Sequence, residues 1–114
     1  MKNEKIRIIV KKVFVETMDG FKEFITENEY NDILKKMTEE VSLQYDKHDD
    51  LVYCLKHIDV ILSKLILTIY AKNLNNKSVQ KAIKNMDLDF FEKLKQYLLN
   101  DEKYEDIIKI NHHR

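Results

Sequence analysis

The sequence predicts an all-α protein, a compact bundle of about five to six helices around one central hydrophobic helix at about residues 51–74. Three observations carry this expectation. Pro is absent and Gly occurs once, so the residues that most often punctuate hairpins and tight turns are missing. Apolar residues recur along most of the chain at the three-to-four-residue spacing of a helix face. A length of 114 residues, with 44% apolar and 35% charged side chains, suits one folded domain with one core and neither a disordered nor a membrane-spanning chain. Residues 1–114 are therefore expected to form a single helical domain.

In residues 4–27 the apolar side chains Ile6, Ile9, Val10, Val13, Phe14, Phe21, Phe24 and Ile25 fall on one helical face. Ile8, Val15 and Met18 lie off that stripe, and β-branched residues are dense over residues 6–15. Asp19-Gly20 is also a favoured two-residue hairpin turn, so a β-hairpin over residues 6–25 stands open beside the helix.

Thr26, followed three residues later by Glu29, has the form of a capping box, which starts a second helix near Asn28. Its stripe is Tyr30, Ile33, Leu34, Met37, Val41 and Tyr45, and the carboxylates of residues 46–50 end it. The third helix carries Leu51, Cys54, Leu55, Ile58, Ile61, Leu62, Leu65 and Ile69, joined over its second half by Val60, Ile66, Leu67 and Tyr70. A helix apolar nearly all round must be surrounded. Either the other helices cover it or a second copy of the chain does, which would make a homodimer. Its most apolar window, residues 60–71, contains Lys64 and falls short of the roughly 20 apolar residues that cross a bilayer, so no membrane is expected. Ser78 can cap a short helix through Met86. Asp87 or Asp89 can cap one carrying Phe90, Phe91, Leu94, Leu98 and Leu99, and Tyr104, Ile107 and Ile108 suggest a last turn or two.

The single cysteine, Cys54, has no partner for an intrachain disulfide, and no leader-like run opens the chain, so a reducing, cytoplasmic compartment is expected. Lysine outnumbers arginine 18 to 2, with Ile and Asn frequent; AT-rich coding explains that, and it suits a viral or mobile-element origin. Asp50, Cys54 and His57 fall at i, i+4 and i+7, yet a thiol and an imidazole flanking an apolar stripe read as packing residues. His112 and His113 sit where a terminus frays. Glu39-Glu40 followed by the carboxylates of residues 46–50 weakly resembles the EExxE magnesium motif of the all-helical nucleotide pyrophosphatases. Leu43 stands where the third carboxylate belongs and no ExxD follows, so the ligands for that chemistry are incomplete. Cys54 has no predictable activating partner beyond His57, and one glycine cannot build a phosphate loop. No catalytic, cofactor or metal residue is expected, and the protein reads as a non-enzyme.

Charge is the feature that remains. Net charge is +4 over residues 1–12, −7 over 13–50, +5 over 51–84 and −2 over 85–114. Lys77, Lys81 and Lys84 make a basic ridge on the predicted fourth helix, with Lys72 just before it. Glu16, Asp19, Glu23 and Glu27 make an acidic ridge on the predicted first helix. Segregated charge steers a partner of opposite sign. The expected function is a small interaction module (an inhibitor, an adaptor, or an immunity or anti-defence factor) that binds an acidic protein surface through Lys72, Lys77, Lys81 and Lys84. Glu16, Asp19, Glu23 and Glu27 form the second candidate surface. The alternative is nucleic-acid binding through a helix-turn-helix-like segment at residues 66–86. Its register is poor, with Ile69 where a small residue belongs and Lys72 where a buried one does, and zero net charge offers little counterion release.

Overall fold

A computed structural model describes residues 2–114, with side chains from Glu4 onward. It is all-helical: α1 (Lys2–Met18), a 3-10 helix (Asp19–Phe24), α2 (Glu27–His48), α3 (Leu51–Lys72), α4 (Lys77–Asn85), α5 (Leu88–Asn100) and α6 (Tyr104–His112), with no strand among the described residues. The chain divides into two compact units, residues 1–64 and 65–114, and α3 supplies its first part to one and its end to the other.

In residues 1–64, Ile6, Val10, Phe14 and Met18 are all fully buried. They lie along a helix, and Ile8, which a strand would bury on the same face as Ile6 and Val10, is exposed, so the hairpin does not form. Met18, which falls off the stripe by sequence spacing, closes it, whereas Ile8 (68% exposed) and Val15 (38%) face outward. The helix does not run on to Glu27. It tightens at Asp19 into a 3-10 segment that brings the Phe21 and Phe24 rings to 6.5 Å, and Ile25 is extended. Gly20 has no left-handed φ, and a Cβ there would meet nothing within 4 Å, so it does none of the work of a hairpin-turn glycine.

Thr26 forms the capping box: its Oγ1 accepts from the Glu29 amide at 3.1 Å, and its own amide donates to Glu29 Oε1 at 3.1 Å. α2 buries Met37 and Val41 and sets Tyr30 edge-on to Phe14 with ring centroids 4.8 Å apart. Two successive aspartates make the break into α3. Asp49 takes the left-handed conformation (φ 48°) and donates its amide to Tyr45 O at 2.8 Å, ending α2. Asp50 Oδ1 then accepts the amides of Val52 and Tyr53 at 3.0 and 3.2 Å, starting α3. Here α3 buries Cys54, Ile58 and Leu62 but leaves Leu55, expected on the core stripe, 41% exposed, along with Val52 (61%) and Val60 (51%).

In residues 65–114 the end of α3 buries Leu67 and Ile69, and Leu74 follows. Of the apolar surplus that suggested a homodimer, Leu67 is 8% exposed in the single chain, Ile66 and Tyr70 are half-buried, and Val60 alone is exposed. Tyr70 meets Phe90 edge-on at 6.1 Å, and Thr68 Oγ1 lies 3.2 Å from Tyr97 OH. α5 is capped by Asp87, whose Oδ1 accepts from the Phe90 amide, and it buries Phe91, Leu94 and Leu98. Glu102 is left-handed (φ 57°) and, with Lys103, returns its amide to α5 carbonyls. α6 is longer than the one or two turns expected, because Ile110, fully buried, extends the stripe begun by Tyr104 and Ile107. No helix among the described residues is long and apolar enough to cross a membrane.

Candidate functional site

The basic ridge depends on where α4 begins. Asn76, not Ser78, is its cap: Asn76 Oδ1 accepts the amides of Ser78 and Val79 at 2.8 and 3.2 Å. Starting earlier puts Lys77 inside the helix, so Lys77, Lys81 and Lys84 share one side over two turns. Val79 and Ile83 are buried on the other side, so the charged side is free of packing duty. All three lysines are exposed, and none makes an ion pair among the described residues.

This face is one wall of a groove. The end of α6 forms the other, with His112, His113 and Arg114 facing Lys77, Lys81 and Lys84 across a space of about 500 Å³, and no carboxylate side chain lines it. Arg114 is pinned there. Its Nη1 donates to Met86 O at 2.6 Å and Ile83 O at 3.2 Å, and its guanidinium lies 4.6 Å from the Phe91 ring centre. These bonds satisfy carbonyls at the C-terminal end of α4 and add a cation–π contact. Gln80, also in the groove, donates its Nε2 to Leu74 O at 3.1 Å. His113 is not frayed. It caps α6 with its amide on Ile110 O, is half-buried, and has an Nε2 that is buried with no hydrogen-bond partner.

The structure therefore brings together Lys77, Lys81 and Lys84 and adds His112 and His113, expected at a frayed end, and Arg114, for which the sequence raised no expectation. The signal for them was Ile110, one helical period beyond Ile107, which carries α6 far enough to seat residues 112–114. Lys72, exposed as the last residue of α3, does not line the groove. The four acidic residues do not share the single helix expected of them. Glu16, Asp19, Glu23 and Glu27 are all exposed, but they lie on α1, the 3-10 helix and the first residue of α2, so the spacing of one continuous α-helix does not describe them.

The other chemistry-bearing residues have local roles. Asp50 caps α3, Cys54 is buried, and His57 Nε2 stands 3.0 Å from Glu40 Oε1. Among the described residues no three His, Cys, Asp or Glu side chains converge. Burial, and secondarily the Asp50 carboxylate, push the Cys54 thiol up from its ordinary value of 9.0, which keeps it protonated and a poor nucleophile. Glu39 lies on the rim of a second groove, of about 560 Å³, between Arg7 and Lys11 of α1 and Leu34, Thr38 and Ser42 of α2. Ser42 Oγ is buried there without a hydrogen-bond partner. Thr38, Ser42 and Asp46, polar residues four apart beside the apolar stripe, were the sequence signal for that groove, and sequence reading passed over them. Compared with protein-family models, with curated proteins and with solved structures, the chain has no match.

Proposed function

We propose that the protein is a small, non-enzymatic interaction module that captures an acidic surface of another protein in the groove between α4 and the end of α6. One observation carries the reading: four cationic side chains and two imidazoles line one concavity into which no carboxylate side chain projects. Solvated lysine faces are common and weakly energetic. Cations gathered on two elements, one of them fixed by Arg114 on Phe91, form a preorganised field that draws an anionic partner and sets its register.

Protein is favoured over duplex nucleic acid on shape. A helix that reads a major groove must stand proud of its surroundings, whereas the charged side of α4 is faced by His112, His113 and Arg114. Lys72, at the place where a helix-turn-helix packs a buried residue, is exposed, and Ile69, where that motif needs a small residue, is 4% exposed. The test is affinity capture from host extract with wild type and with the Lys77→Glu, Lys81→Glu, Lys84→Glu triple variant side by side. Proteins retained by wild type and lost by the variant support the reading. A set retained equally by both, or a nuclease-sensitive set, contradicts it.

A further inference from the structure

We infer that the groove between α4 and the end of α6 recognises a phosphoryl group carried on an acidic segment of the protein partner; this rests on the interaction reading above. Lys77, Lys81, Lys84 and Arg114 are held around one space with no acidic side chain in it and no ion pair made by any of the three lysines. A carboxylate brings one negative charge and two oxygens. A phosphoryl group brings up to two charges and three acceptor oxygens on a single centre, which matches cations converging from two sides of a groove.

Two details specify an oxyanion further. Arg114 spends only Nη1 on Ile83 and Met86, and its guanidinium lies over the Phe91 ring; Nε and Nη2 make no hydrogen bond among the described residues. A planar donor pair with its position already fixed loses little freedom on meeting two oxygens of one group. His113 lines the same space, and its Nε2 is buried without a hydrogen-bond partner, a cost that a shift of the ring toward a bound group would relieve. Arg clusters reading phosphorylated acidic motifs are a known solution to the same physical problem. A nucleic-acid backbone has the same phosphate chemistry, but α4 is faced across this space by the end of α6 and does not stand proud to enter a groove of a duplex, so the duplex is the competitor that the test includes.

The experiment titrates the full chain with a short Asp/Glu-rich peptide carrying one central phosphoserine, with the same peptide carrying Glu there, and with a DNA duplex. Amide resonances and calorimetry report the binding. The phosphopeptide is expected to bind about tenfold or more tightly than the Glu peptide, as its extra charge and oxygen allow, with shifts at Lys81, Lys84, His113 and Arg114. Lys81→Gln, an exposed change that spares the core, is expected to remove most of that preference. Equal binding of the two peptides in the groove overturns the phosphoryl assignment and leaves the interaction reading standing. Binding of neither peptide in the groove, or tighter binding of the duplex than of either, overturns both.

Discussion

At Cys54 one residue links burial to chemistry. The thiol is fully buried and its pKa is raised, so the folded protein at pH 8 should react with Ellman's reagent far more slowly than the chain in guanidinium; equal rates would place the thiol at the surface. The sign for stability follows. An unfolded thiol ionises near 9.0 and the folded one higher, so stability is undiminished below that pH and falls as pH rises from there through the folded value. The sequence already placed Cys54 on an apolar stripe, and the fold buries it there. His113 was illegible by comparison, because nothing local separates a frayed histidine from one that is half-buried and caps a helix with its amide on Ile110 O.

Among elements, those with local signals were legible. The capping box at Thr26 and Glu29 lies where the sequence put it, and removing its hydroxyl with Thr26→Ala should cost about 1 kcal/mol in chemical denaturation. The aspartate break at residues 46–50 was also legible, although only one carboxylate acts in it: Asp49 ends α2 through its left-handed backbone and amide, and the Asp50 carboxylate starts α3. What failed was the end of the first helix. Asp19-Gly20 offered a hairpin and the apolar spacing offered a continuous helix, and the chain takes a 3-10 segment instead, because Phe21 and Phe24 lie three apart, the repeat of that tighter helix. Gly20→Ala separates these outcomes. With no left-handed φ and open space at the Cβ, alanine should stabilise by about 0.4–1 kcal/mol through the unfolded state; destabilisation beyond that range would mean a turn that needs glycine.

For the whole molecule, composition and periodicity read the all-helical class correctly because near-absence of Gly and Pro leaves few alternatives. The candidate site was half legible. Lysine spacing on one helix is local and visible, but the opposing wall comes from residues about thirty positions later, a pairing that no single-sequence pattern encodes. The dimer expectation can be tested apart from the site. Leu67 is covered within one chain, so Leu67→Glu should unfold the protein by placing an unpaired charge in its interior, with loss of far-ultraviolet helical signal. A folded variant that merely halves its mass in light scattering would put Leu67 at an interface between copies.

Whether a protein partner docks in the groove between α4 and the end of α6 is decided by salt dependence. Affinity for the captured partner is measured over a range of ionic strength for wild type and for the Lys77→Glu, Lys81→Glu, Lys84→Glu variant. Because the lysines oppose the packed side of α4, the variant should melt within a few degrees of wild type, exposed charges being worth only about 0–1 kcal/mol each. Wild-type affinity is expected to fall steeply with added salt, and the variant is expected to bind weakly with little salt dependence. A variant that matches wild type in both affinity and slope would make the groove an ordinary solvated face, and attention would pass to Glu16, Asp19, Glu23 and Glu27.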